Sequence, residues 1–168
     1  DDGVASYGDL VDNEVSNSRV GLTVTQEFGS SVLTFDFLTG LGFGQSSDYS
    51  QTGDPDFLDW RRTFVRKLEF SLKTESAGEF SFGQGSMATD GVAQSDLSGT
   101  KVAMYNGLDT VAGKYQFRTA AGALSGIDID DTFTSFDSSR RGRIRYDSPS
   151  LNNFTFSAAY GKDILSTN

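Results

Sequence analysis

The sequence has no cysteine and no histidine among its 168 residues. Without cysteine, neither a disulfide framework nor a thiolate metal site can form. Without histidine, catalysis by a Ser-His-Asp or Cys-His arrangement and zinc binding through imidazole are excluded as well. The function therefore has to come from chemistry that needs neither side chain.

Long apolar runs and helical periodicity are also lacking. No run reaches the roughly 18 apolar residues of a transmembrane helix, but a membrane β-strand needs only about 9–11 residues of alternating character. Proline is scarce at 2 residues, whereas glycine reaches 19 and phenylalanine 14. With only 36% hydrophobic residues, this composition suits a sheet that has one wet face and one apolar face.

The chain has fewer positive than negative residues: 14 Lys and Arg against 23 Asp and Glu, which gives a net charge of −9. Phosphate binding needs a basic face, so nucleic acid is not an expected partner. Yet Arg141, Arg143 and Arg145 fall on alternate positions of one short stretch. In a strand, these three side chains would lie on the same face.

Alternation of apolar and polar residues predicts a series of strands. The alternating runs lie at 19–28, 32–44, 63–74 and 79–85, and in two parts of 138–161. Short turns and long polar loops alternate between them, and the stretches KVAMY and KYQFR could add two short strands. We therefore expect about six to eight strands.

Regular two-sided strands with alternately short and long connections are typical of an outer-membrane barrel. A soluble β-sandwich also alternates, but with more Val, Ile and Leu and with more even loops. We therefore predict an all-β fold, an antiparallel transmembrane β-barrel forming one domain over residues 1–168, with an unpatterned stretch at about 86–137. A closed barrel needs at least eight strands. Residues 1–18 look like the loop after a missing first strand, and the last residues, DILSTN, do not look like a finished final strand. We therefore expect part of a larger barrel rather than a small complete one.

Four stretches make the chain resemble the general trimeric porins of Gram-negative bacteria, especially proteobacterial ones. The stretches are VDNEVSNSRVGLTVTQEFG, LEFSLKTESAGEFSFGQG, SMATDGVAQSDLSGT and RIRYDSPSLNNFTFSAAYG. Their order and spacing carry the resemblance, which covers most of residues 11–161. A porin has about 16 strands, so the chain would correspond to roughly its N-terminal half.

The resemblance implies a homotrimer in the outer membrane of a Gram-negative bacterium, surrounded by lipid and lipopolysaccharide. Its water-filled channel would let small hydrophilic solutes and ions diffuse passively, so the protein would not be an enzyme. The resemblance also implies that the long loop, at about 86–137 here, folds into the lumen and narrows the pore.

The family sets basic wall residues against acidic residues of that loop. By resemblance, the basic wall candidates are Arg19, Arg141 and Arg143, and the acidic loop candidates are Asp90, Asp96 and Asp109. A lysine or arginine on the lipid face at mid-depth would cost about 2–4 kcal/mol, which favours water-facing arginines. Gln84 stands where the family usually has a further arginine, which weakens the basic half of the constriction. The net charge of −9 suggests cations and the arginines argue the other way, so we expect little ion selectivity or a modest cation preference.

The acidic stretch 126–137 raises the question of a metal. Asp128, Asp130 and Asp131 could contribute to a Ca²⁺ site, because calcium takes six to eight oxygen ligands. Their spacing does not match an EF-hand loop, so a solvated acidic loop is favoured and no cofactor is expected.

Two other functions remain open at this point. One is a non-transporting structural or adhesive β-protein of the outer membrane or surface, with a filled interior and with its arginines in surface ion pairs. The other is a glycan-binding or glycan-cleaving domain that uses paired carboxylates such as Glu69 and Glu79.

Overall fold

The computed structural model describes residues 8, 10–92, 95, 97, 99, 112–132 and 137–166. Its strands are β1 (Arg19–Phe28), β2 (Ser31–Gly40), β3 (Val65–Thr74), β4 (Gly78–Ser86), β5 (Gln116–Arg118), β6 (Leu124–Asp128), β7 (Arg140–Asp147) and β8 (Ser157–Lys162). Within the described ranges, the helical elements are the four-residue α1 (Ile129–Thr132) and the 3-10 turns Glu14–Ser16, Ser46–Asp48 and Arg62–Phe64, and Ala112 also has a helical backbone. Across the described ranges, no helix is long and apolar enough to cross a membrane.

Six of the strands form one sheet in the order β1-β2-β3-β4-β7-β8, and β5 pairs with β6 separately. Every pair is antiparallel. The all-β, antiparallel prediction is therefore confirmed. β1 and β8 are the two ends of the sheet, which is not closed within the part of the chain that the structure describes.

The chain forms two compact units. The sheet unit comprises residues 19–40, 61–95 and 136–168, and the loop unit comprises residues 1–18, 41–60 and 96–135. The six-stranded sheet lies in the sheet unit, whereas β5, β6 and α1 lie in the loop unit. That the whole chain forms one domain stays a prediction.

The alternating run predicted at 32–44 is longer than the strand, because β2 ends at Gly40. Gly42 has φ +81° and lies so close to the chain at Trp60 that a β-carbon there would be 2.7 Å from the Trp60 α-carbon. Phe43 then forms an isolated bridge with Leu58 instead of continuing the strand. The close approach of two chain segments thus ends the strand although the alternation continues.

The second alternating part of 138–161 begins at Phe154 and likewise starts before its strand, β8 (Ser157–Lys162). Leu151 and Phe154 exchange two backbone hydrogen bonds of 2.8 and 2.9 Å. Asn152 and Asn153 between them have φ values of 50° and 69°. Two central residues with positive φ make a type I′ turn, which suits a two-residue hairpin. This small hairpin precedes β8.

Burial in the sheet is inverted relative to a soluble protein. No hydrophobic side chain in the described ranges is buried, whereas Glu69, Ser81 and Arg143 are only 7%, 7% and 8% exposed. One row of cross-strand neighbours runs through Val24, Phe35, Phe70, Phe82, Ile144 and Tyr160. We call the face on which this row lies, together with every second residue along each strand from it, the apolar face. Phe82 is 57% exposed and Tyr160 87%. The opposite parity forms the polar face.

Ring contacts hold the apolar face together laterally. The ring centroids of Phe35 and Phe70 are 4.9 Å apart, and those of Phe70 and Phe82 are 5.5 Å apart. Phe80 and Tyr146 approach to 4.7 Å. Cross-strand aromatic pairs of this kind stabilise a sheet by about 0.2–1 kcal/mol each, so the face is ordered although it is exposed.

Candidate functional site

One row of the polar face runs through Thr23, Asp36, Glu69, Gly83 and Arg143 in β1, β2, β3, β4 and β7. Thr23 Oγ1 donates a hydrogen bond of 2.6 Å to Asp36 Oδ1. Because consecutive partners in this row face each other across the ladder, their polar side chains can interact directly.

Four charged side chains of the polar face form a charge chain, defined as Asp36, Lys67, Glu69 and Arg143. Lys67 Nζ lies 3.4 Å from Asp36 Oδ2 and 3.4 Å from Glu69 Oε1. Glu69 Oε2 accepts a hydrogen bond of 2.6 Å from Arg143 Nη2. The charge chain holds two anions and two cations, so it is neutral as a whole.

Glu69 and Arg143 meet across a strand that lies between them. They belong to β3 and β7, which both flank β4, and Gly83 of β4 is the register partner of both. A β-carbon at Gly85 would collide with Glu69 Oε2 and lie 2.8 Å from Arg143 Nη2. Gly85 of the Gly-Gln-Gly sequence in β4 therefore leaves the space that the ion pair occupies.

Arg143 and Arg145 also bind the chain where it leaves β4. Arg143 Nε donates to the Ser86 carbonyl at 2.8 Å. Arg145 Nη1 donates to the Ser86 and Met87 carbonyls at 3.2 and 3.0 Å. Arg145 is itself held by both carboxylate oxygens of Asp147, at 2.7 and 2.8 Å.

The predicted basic wall residues occupy different parts of the sheet. Arg143 is buried in the charge chain, and Arg141 is half-buried opposite Gly85. Arg19 is exposed at the start of β1, opposite Gly40. Since β1 and β7 are four strand spacings apart, Arg19 lies about 19 Å from β7 along the sheet. The structure brings Arg141 and Arg143 together but not Arg19, and a common role at a constriction stays a prediction.

Of the three predicted acidic loop residues, only Asp90 lies among the described residues. Asp90 is half-buried, and its N–H donates to the Met87 carbonyl at 3.2 Å, within the first turn after β4. Asp96 and Asp109 lie outside the described residues.

The candidate calcium ligands in the loop unit surround a lysine. Lys114 Nζ lies 3.2 Å from Asp130 Oδ2 and 3.8 Å from Asp128 Oδ2. The hydrogen bond to Asp130, followed by the nearby acidic charges, raises the pKa of Lys114 above its usual value. Asp131 Oδ2 accepts the Asp128 N–H at 3.1 Å. In the ranges that the structure describes, no acidic residues gather with metal-binding geometry, and the Lys114 ammonium group forms ion pairs with two of the three carboxylates.

Sequence reasoning missed the partners of the arginines. Asp36, Lys67 and Glu69 show the polar parity of their strands, which was a usable signal, but their pairing depends on the register of β2, β3 and β4. Gln84, where resemblance expects an arginine, is only 6% exposed, and its Oε1 finds no hydrogen-bond partner among the described residues.

The family comparison agrees with this architecture. A family model described as Gram-negative porin matches residues 2–167. Comparisons with curated proteins and with solved structures gave no match. Nearly the whole chain fits the family model, and its antiparallel sheet exposes apolar side chains on one face and buries charged side chains on the other. The chain therefore belongs to the Gram-negative porin family.

Proposed function

We propose that the protein lines a water-filled channel in the outer membrane of a Gram-negative bacterium, through which small hydrophilic solutes and ions diffuse passively. The observation that carries this proposal is the inverted burial of the sheet, with Phe82 57% exposed and Arg143 8% exposed. An outward apolar face is stable against lipid tails, and a polar face is stable against a wet lumen.

A membrane also explains why the sheet would close. Inside lipid, each backbone N–H or C=O without a partner costs several kcal/mol. The edge strands β1 and β8 therefore need partners there, and a closed barrel supplies them. By analogy with the family, we infer a homotrimer embedded in lipid and lipopolysaccharide.

The charges of the polar face are consistent with solutes passing through the channel without any bond being made or broken. Its charge chain is neutral overall, because Glu69 is paired with Arg143 and Lys67 bridges Asp36 and Glu69. A locally neutral stretch of wall gives little preference for one ion sign, which favours weak selectivity. No cofactor is needed for diffusion.

A glycan-cleaving function gains no support from the carboxylates. Glu69 is committed to Arg143. Glu79 lies four residues along β4 from Gly83, the register partner of Glu69. Four residues of a strand span about 13 Å, which exceeds the roughly 5–9.5 Å between the two carboxyl groups of a glycosidase.

The test is single-channel recording of the full-length protein in a planar bilayer, with the reversal potential measured in a salt gradient. We expect stable openings in groups of three equal steps and a small reversal potential. A silent bilayer that contains correctly inserted protein, verified by protease protection in the same lipid, would contradict the channel and favour a structural or adhesive role.

A further inference from the structure

The chain leaving β4 is held by side chains from the neighbouring strand. We call residues 86–92 the loop base, since they follow the body of β4 and begin its long connection to β7. The Ser86 carbonyl accepts from Arg143 Nε at 2.8 Å and from Arg145 Nη1 at 3.2 Å, and the Met87 carbonyl accepts from Arg145 Nη1 at 3.0 Å. Thr89 Oγ1 lies 2.5 Å from Ser138 Oγ. The first residues of the loop are therefore attached to β7 and to the residues just before it.

Each arginine is held in place by a carboxylate on its other side. Glu69 binds Arg143 Nη2 at 2.6 Å, and Asp147 binds Arg145 Nε and Nη2. A guanidinium is a rigid planar fork of five donors, so fixing one edge fixes the direction of the others. The carboxylates thus orient the donors that reach the loop base.

Arg143 is poorly placed to act on a solute directly. Its side chain is 4% exposed, and that of its partner Glu69 is 8% exposed. Its charge is compensated by Glu69, and Nε is used by the Ser86 carbonyl. A solute in the channel would meet little of this guanidinium.

We propose that Arg143 and Arg145 are positioning residues that fix the direction in which the loop leaves β4, and that they set the channel width in this way rather than as free wall charges. The part of this inference that concerns width rests on the proposed channel function. The attachment itself rests on the contacts of the sheet unit alone. Gly85 contributes to the same arrangement, because only glycine leaves room for the Glu69–Arg143 ion pair next to it.

The attachment can be measured without any channel activity. The 168 residues contain no cysteine, so Ala88→Cys adds the one labelling site within them, on the loop base. The experiment uses the full-length protein in lipid, with any cysteine outside these residues replaced by serine. We expect a restricted label spectrum in this background and a more mobile one after Arg143→Gln. The double variant Glu69→Gln/Arg143→Gln is expected to mobilise the label too, and it avoids leaving a buried carboxylate whose Oε2 has lost its arginine donor.

Two further variants separate position from charge. Arg143→Lys keeps the charge, but one ammonium cannot reproduce the fork that spans Glu69 and the Ser86 carbonyl, so we expect a mobile label and a broadened distribution of conductances. Arg141→Gln removes a charge of the same type two residues away, and we expect a shifted reversal potential with an unchanged label spectrum. An Arg143→Lys protein with the wild-type spectrum and conductance would overturn the inference and make Arg143 a wall charge.

A disulfide cross-link tests whether reattaching the loop base restores the conductance of the Arg143→Gln variant. Thr89→Cys and Ser138→Cys replace the two hydroxyls that touch, and their disulfide would tie the loop base to the start of β7. In the Arg143→Gln background, without the spin-label cysteine, we expect the oxidised cross-link to restore the wild-type conductance and reduction to abolish it again. Conductance that stays altered although the disulfide has formed would contradict the inference about width. If the wild type forms no channels, the channel proposal fails, while the label spectra still decide whether Arg143 holds the loop base.

Discussion

At the scale of single residues, glycine makes the polar face possible. Glu69 and Arg143 come from strands that are not neighbours, and they can meet because Gly85 of the intervening β4 has no side chain to occupy the space of their ion pair. Gly83 has φ +118°, in the region that favours glycine, and a β-carbon there would collide with the Leu68 carbonyl. Gly85 is crowded only by the ends of two flexible side chains.

These differences predict a ranking of glycine-to-alanine variants. Gly83→Ala should lower the free energy of unfolding by about 2–4 kcal/mol, from backbone strain and overpacking together. Gly85→Ala should cost about 1–2 kcal/mol, because the ion pair has to shift. Gly53, which has open space around it, is the control, and its change should stay within about 0.5 kcal/mol. Urea unfolding in lipid vesicles measures all three, and equal losses at Gly53 and Gly83 would contradict this account.

Asp163, just beyond β8, provides a prediction about pH. Its carboxylate accepts the N–H groups of Leu165 and Ser166 at 2.9 and 3.0 Å and also the Ser166 hydroxyl. The Ser166 hydroxyl first, and then the two N–H groups, lower the pKa of Asp163 from 3.8 to about 2. Because the pKa is lower in the folded state, this turn is stabilised fully above about pH 4, and the stabilisation is lost as the pH falls through about 2.

The pKa of Asp163 can be followed through the carboxyl carbon chemical shift during an acid titration. Ser166→Ala should raise the pKa towards 3.8, since the hydroxyl is the first cause of the shift. An unchanged midpoint in that variant would assign the shift to another cause.

At the scale of elements, the sequence predicted strands better than it predicted their ends and partners. The alternation in 19–28 coincides with β1, because a strand with two different faces has a period of two residues. The alternation in 32–44 continued past Gly40, where contact with the chain at Trp60 ends the strand. That contact joins residues far apart in sequence, so no local pattern could reveal it.

The same limit applied to the candidate site. Arg143 could be assigned to the polar face from parity alone, but its pairing with Glu69 depends on two registers through β4. The space that Gly85 leaves for this ion pair is likewise a contact between strands, so the Gly-Gln-Gly sequence alone does not reveal it.

The hairpin before β8 gives a prediction for an element. Asn153 has φ 69° in a type I′ turn, a conformation that asparagine and glycine tolerate and β-branched residues do not. Asn153→Val should therefore destabilise the protein by about 1–2 kcal/mol, whereas Asn153→Gly should be neutral or slightly stabilising. Urea midpoints of the two variants test this, and equal midpoints would show that the turn tolerates any side chain.

At the scale of the whole molecule, the main feature is that the sheet exposes its apolar side chains and buries the charged Glu69 and Arg143. Its energetic meaning depends on the solvent around the apolar face, which is hydrocarbon if the protein spans the outer membrane. A charge should then be tolerated on one face of the sheet and costly on the other.

Phe82 lies in the middle of β4 on the apolar face, and Thr25 lies on the polar parity of β1 and is exposed. We expect Phe82→Lys to lower the free energy of unfolding from lipid vesicles by about 2–4 kcal/mol. Thr25→Lys, the matched control, should change it by less than about 1 kcal/mol. Similar losses for both variants would contradict a lipid-facing side at Phe82.

The strand order also has a kinetic consequence. β1 and β2, and likewise β3 and β4, are joined by two- and three-residue turns, whereas roughly fifty residues separate β4 from its partner β7. Closing a long segment loses more entropy than closing a short turn, so the hairpins should assemble first and the β4–β7 seam last. Pulse-labelling hydrogen exchange during refolding should find the amides of Val24 and Phe35 protected before that of Ile144. Since Arg143 and Arg145 meet the loop base across this seam, the loop would be fixed in the final step of folding.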